Sequence, residues 1–161
     1  MATGAARGIT IVANHADGAP KPPCNWHVTC GVTRRMPQIL VVEDDDAIRG
    51  LVTEVLREDG YDVREATNGV EALDRLREER PDLIVLDLMM PVMDGWAFVE
   101  ECRRKPCCND VPIVVTSASH DLPRTAERLS SFGVRTCLAK PFDVDGLLAL
   151  VERYVPLVPA A

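Results

Sequence analysis

From Gln38 onward, short apolar runs alternate with stretches of helical spacing. The first run, QILVV, is apolar throughout after Gln38 and suits a strand buried on both faces. It ends in the acidic run Glu43, Asp44, Asp45, Asp46. Ile48, Leu51, Val52, Val55 and Leu56 then recur at i, i+3, i+4, i+7 and i+8, which predicts a helix, with Asp46 to cap it and Gly60 to stop it. YDVREA alternates as a short strand. Asn68 caps a second helix, which turns Val70, Leu73 and Leu76 inward. Pro81 ends that helix and opens the strand DLIVLD. MMPVMDG reads as a loop and GWAFVEECRRK as a third helix. VPIVVTS is a strand, LPRTAERLSS a helix, VRTCLA the last strand and DVDGLLALVERYV the last helix.

Five strands alternating with five helices predict βαβ units and one doubly wound parallel sheet covered on both faces. Residues 37–155 form this domain and residues 156–161 a short tail. Residues 1–36, rich in Gly, Ala, Pro, Thr and Asn, read as a flexible extension. Met36 stands directly before the domain and is an alternative start.

Composition narrows the class. The chain has 161 residues, 47% hydrophobic and 4% aromatic, enough for one domain with an aliphatic core. No run approaches the ~20 apolar residues of a membrane span, and no secretion signal is evident, so the expectation is a cytoplasmic protein without a membrane partner. The net charge of −7 is uneven: residues 1–36 carry Arg7, Lys21, Arg34 and Arg35 against Asp17 alone, leaving a strongly acidic body. Such a body disfavours direct nucleic-acid binding and suits metal cations or basic surfaces. Six cysteines at 24, 30, 102, 107, 108 and 137 read as scattered reduced thiols.

In a doubly wound sheet, ligands sit at the carboxyl ends of the strands. There stand Glu43 and Asp44, Asp87, Thr116 and Ser117, and Lys140. Three crowded carboxylates repel one another unless a cation lies between them. Mg2+ suits a shallow oxygen site that also takes a phosphate. Lys140 adds a fixed positive charge and Ser117 a hydroxyl donor. These are the parts for phosphoryl transfer onto Asp87.

ILVVEDDDAIR, LIVLDLMMPVMDGW, PIVVTSAS and LAKPFD, in this order and spacing, resemble the four signature segments of response-regulator receiver domains. The resemblance implies a flavodoxin-like (β/α)5 fold with strand order 2-1-3-4-5. It implies Mg2+ (or Mn2+) held by Glu43, Asp44, Asp87 and the backbone carbonyl of Met89. Asp87 would be the phosphoacceptor, Ser117 the switch hydroxyl and Lys140 the conserved-type lysine, followed by Pro141 in a cis linkage. Pro91 and Gly95 would shape the loop after the acceptor, with Gly free to adopt a conformation closed to other residues. Where such domains carry Tyr or Phe three positions before the lysine, this chain has Cys137. Met89 and Ser119 lie where family members tune phosphoryl lifetime; neither is an amide or acid that would orient a water, which implies slow self-hydrolysis.

Other readings are weaker. Cys24-Asn-Trp-His27-Val-Thr-Cys30 lacks the four ligands of a structural zinc unless His15 or another residue joins. Cys107 and Cys108 are adjacent in a turn and oxidisable if exposed. The expected function is a single-domain response regulator, not an enzyme, phosphorylated by a histidine kinase or a histidine phosphotransfer protein. It would act on an unknown protein target through the fourth helix and fifth strand, since VPLVPAA offers no effector domain. Alternatives are a degenerate receiver that binds without phosphorylation, and a haloacid-dehalogenase-type phosphotransferase, which wants an acid where Met89 stands.

Overall fold

The apolar runs QILVV, LIVLD and IVVTS become the central strands of one sheet, each buried along its whole length. A computed structural model describes residues 11–13, 35–106, 108–118, 122–134 and 136–157. Its strands are β1 (Ile11–Ala13), β2 (Gln38–Val42), β3 (Asp62–Ala66), β4 (Leu83–Asp87), β5 (Ile113–Ser117) and β6 (Thr136–Ala139). The helices are α1 (Asp46–Asp59), α2 (Gly69–Glu78), α3 (Gly95–Arg103), α4 (Leu122–Ser130) and α5 (Val144–Tyr154). The sheet order is β1-β6-β5-β4-β2-β3. Counted from Gln38, the five parallel strands follow the expected order 2-1-3-4-5 in a flavodoxin-like fold.

Alternate residues of each strand face opposite layers, which fixes where the helices sit. Leu40, Ile84, Leu86, Ile113 and Val115 pack with Leu73 and Leu76 of α2, Phe98 and Val99 of α3 and Leu129 of α4. Ile39, Val41, Leu83, Val85 and Val114 pack with Val52 and Leu56 of α1 and Leu147 and Val151 of α5. Each such side chain contributes about 1.5–3 kcal/mol on burial. That energy holds the polar strand ends together.

Several local expectations change. Asp45, not Asp46, caps α1, accepting from the amides of Ala47 and Ile48 at 2.9 and 3.0 Å; Asp46 is the first helical residue. Gly60 ends α1 at φ 108°, as a left-handed stop requires. Leu51 and Val70 carry the right spacing yet are exposed, because each lies at the margin of its helix's apolar stripe. Leu157, in the expected tail, packs against the α1/α5 layer.

The reading of scattered reduced thiols fails for one pair. Cys102 and Cys108 form a disulfide, both fully buried, because the chain turns back after α3 and brings their Cα atoms to 5.5 Å. Cys137 is free and buried; burial pushes its thiol up to about 11. Within the expected 1–36 extension, Ile11–Ala13 is a strand antiparallel to β6. The rest of that expectation up to residue 34, the zinc reading at 24–30, and Cys107 and Ser119 lie outside the described residues. Among the described residues no helix is long and apolar enough to cross a membrane.

Candidate functional site

Parallel register delivers the charged residues to one edge. Val42 stands opposite Leu86, so the next residues, Glu43 and Asp87, emerge side by side at the ends of β2 and β4. Asp87 in turn pairs with Thr116, and Ser117 pairs with Ala139, the residue before Lys140. Lys140 is further tied to β5 by its backbone amide, which donates to the Ser117 carbonyl at 2.8 Å. Its Lys140–Pro141 bond is cis, as the resemblance implies.

Lys140 Nζ donates to Glu43 Oε2 at 2.7 Å and lies 3.0 Å from Asp87 Oδ2. Glu43 and Asp87 are each 5% exposed, whereas Asp44 stands in solvent. One oxygen from each of Glu43, Asp44 and Asp87 falls within 4.8 Å of the others. The expected trio is therefore assembled. The Met89 amide donates to Asp87 Oδ1 at 3.3 Å, which puts the Met89 backbone beside the carboxylate. Ser117 is buried at the same edge.

The electrostatics follow from this crowding and burial. Burial raises the Glu43 pKa, and the hydrogen bond from Lys140 offsets that only in part, with the nearby charge of Asp87 raising it further. Burial opposes the charge on Lys140, but its bonds to Glu43 and Asp87 outweigh that and hold its pKa above the ordinary value. Glu43 therefore favours its proton chiefly because it is buried, and Lys140 because two carboxylates hold its ammonium. The donors are all hard oxygens on a partly open edge, so the residues fit Mg2+ or Mn2+.

Some supports escape sequence reading. The Arg49 guanidinium donates to the Glu43 carbonyl at 2.8 Å and pins the turn after β2. The signal for it was weak, since Arg49 reads as one more polar helix position. In the loop after Asp87, the special backbone sits at Val92, φ 69°, not at Gly95. Gly95 is needed for space instead. A Cβ there would lie 2.4 Å from the Asp87 carbonyl oxygen and 2.7 Å from Leu88 Cα, while its amide donates to the Leu88 carbonyl at 3.1 Å.

A family model described as "Response regulator receiver domain" matches residues 39–152. The chain belongs to this family. The receiver is 38% identical over 120 residues to the sporulation initiation phosphotransferase F of Bacillus subtilis, covering 74% of this chain and 94% of that protein. It spans about half the length of other matched regulators, such as the response regulator MprA of Mycobacterium avium, at 42% identity over 70% of this chain and 48% of that one. Among solved structures, the chemotaxis response regulator CheY4 of Vibrio cholerae superposes with a TM-score of 0.70 at 32% identity, over 75% of this chain and all of that one. The receiver domain of the sensor histidine kinase PA1611 from Pseudomonas aeruginosa, solved with magnesium in its active-site cleft, gives a TM-score of 0.68 at 29% identity, over 76% of this chain and 100% of that one.

The two loop residues separate by substitution. Gly95→Ala forces its Cβ into the backbone that carries Asp87 and is expected to destabilise the receiver by about 1–3 kcal/mol. Val92→Gly relieves a left-handed β-branched residue at a side chain 84% exposed and is expected to stabilise it by about 1 kcal/mol. Urea denaturation midpoints with unchanged slopes check both.

Proposed function

We propose that this receiver accepts a phosphoryl group on Asp87 from a histidine kinase or a histidine phosphotransfer protein, in a reaction that needs Mg2+. The observation that carries the proposal is the single buried cluster of Glu43, Asp87 and Lys140, in which one lysine bridges two carboxylates. Asp87 is the nucleophile, with its Oδ1 already oriented by the Met89 amide. Lys140 is held where it can follow the charge that develops on the transferred oxygens. Ser117 supplies a hydroxyl at the end of the neighbouring strand. Glu43 and Asp44, with Asp87 and the Met89 carbonyl, would hold the ion, which supplies charge neutralisation for the incoming phosphoryl group.

The outcome of phosphorylation is a changed protein surface, read by a downstream protein through the face of α4 and β6, with no direct nucleic-acid or membrane contact. Support comes from the match along nearly the whole length of the Bacillus protein and of CheY4. On this reading the protein is not an enzyme beyond self-phosphorylation and self-dephosphorylation, and it works in the cytoplasm. A closed disulfide is uncommon in that compartment; the complete burial of Cys102 and Cys108 is what would shield theirs from exchange.

A Phos-tag gel after incubation with acetyl phosphate and Mg2+ tests the reading. The wild type is expected to shift, and Asp87→Ala and an EDTA-treated wild type are not. An unshifted wild type would instead favour a receiver that binds partners without phosphorylation.

Once formed, the phosphoform is expected to decay slowly. Position 89, two beyond the acceptor, carries an exposed methionine with no group to orient a hydrolytic water. After removal of the donor, the shifted band should persist for minutes or longer; a band that disappears in seconds contradicts this.

A further inference from the structure

We propose that the amino-terminal strand β1 is a built-in brake on phosphorylation, docked on the outer edge of β6 while Asp87 is unmodified; this rests on the reading of Asp87 as acceptor. β1 runs antiparallel to β6 with Ile11 opposite Leu138, Val12 opposite Cys137 and Ala13 opposite Thr136, and α4 flanks it. An uncovered edge strand offers a row of unpaired amides and carbonyls, and strand addition satisfies them. Here the chain fills that edge itself.

With only three paired residues, the strand is short enough to be displaced.

The path to the site is brief. Two residues beyond Leu138 lies Lys140, whose ammonium holds Glu43 and Asp87 and whose amide is bonded to the end of β5 beside Ser117. When Asp87 gains a phosphoryl group, Lys140 turns from its carboxylate pairs to new oxygens, and the end of β6 moves with it. A strand paired along β6 resists that movement. By linkage, phosphorylation loosens the strand by the factor with which the strand opposes phosphorylation.

The test uses the full chain and two single variants, Val12→Pro and Ala13→Pro. Proline removes the backbone donor, and one of two consecutive strand residues must point its amide at β6. Hydrogen exchange at Thr136–Ala139 reports docking, and the rate of phosphorylation by acetyl phosphate with Mg2+ on Phos-tag gels reports the brake. We expect at least one variant to exchange faster at Thr136–Ala139 and to be phosphorylated about fivefold faster or more, the lower end of ordinary coupling between sites. Faster exchange with an unchanged rate overturns the brake alone. Unchanged exchange in both variants overturns the docking. No phosphorylated band in any of the three chains overturns the acceptor reading and the brake with it.

Discussion

The contact on which the rest depends is Lys140 between Glu43 and Asp87. Two carboxylates that are 5% exposed each would repel one another if left alone. A single ammonium within 3.0 Å of both makes their shared burial tolerable without cancelling the charge. The residual negative field is what fits the site to a divalent ion. The fold is the means of building this contact. Lys140 follows β6 and must reach past the end of β5 to β4 and β2, so all four strands must end at one level and point one way. Parallel strands need crossover helices, and the two apolar layers that those helices bury fix the level.

The same logic separates what the amino acids reveal from what they hide. QILVV, LIVLD and IVVTS are almost uniformly apolar because both their faces are covered; a half-buried strand or a surface helix would break such runs with regularly spaced polar positions. Glu43, Asp87 and Ser117 were legible because each stands at the end of such a run, and Lys140 because it follows the last strand. What escaped depends on contacts far apart in the chain or on a single residue of phase. Asp45 and Asp46 are equally good caps by type, and only the observed turn decides between them. Leu51 and Val70 satisfy a spacing, but spacing marks a stripe and not its margin. Ile11–Ala13 is too short to announce a strand; its pairing with β6 crosses more than a hundred residues. Cys102 and Cys108 meet because of a turn that composition does not encode.

The loop after Asp87 shows a different kind of illegibility. Its glycine suggested backbone freedom, yet the left-handed residue is Val92 and the glycine is there for lack of room. Strain of this sort persists only where neighbours over-determine the path. They do so here: the Gly95 amide binds the Leu88 carbonyl, the Gly69 amide binds the Met93 carbonyl at 3.0 Å, and a Cβ on Gly69 would lie 2.6 Å from Met93 Cγ. The start of α2 therefore sits directly on the loop that follows Asp87. Any shift in that loop is felt by α2 as well as by α3.

Cys137 makes such routes matter. In a receiver whose β6 carries an aromatic at this position, a bulky ring can report the state of the site by changing its place. A buried thiol packed with the α2–α4 layer has neither the size nor the exposure to do so. On the proposed reading, a change at Asp87 would then pass to the surface by backbone and by other side chains. Two are well placed. The Arg128 guanidinium lies 4.1 Å from the centre of the Trp96 ring, a cation–π contact that ties α4 to the start of α3 and hence to the loop after Asp87. Tyr154 of α5 shares a hydrogen bond with Thr136 of β6 at 2.5 Å. A displacement of β6 begun at Lys140 would strain this bond on one face of the sheet, and a displacement of the loop would strain the Arg128–Trp96 contact on the other. With a small residue at 137, any movement of β6 would be that of the strand itself, opposed by its pairing with β1, where an aromatic would have it move as the socket of a ring.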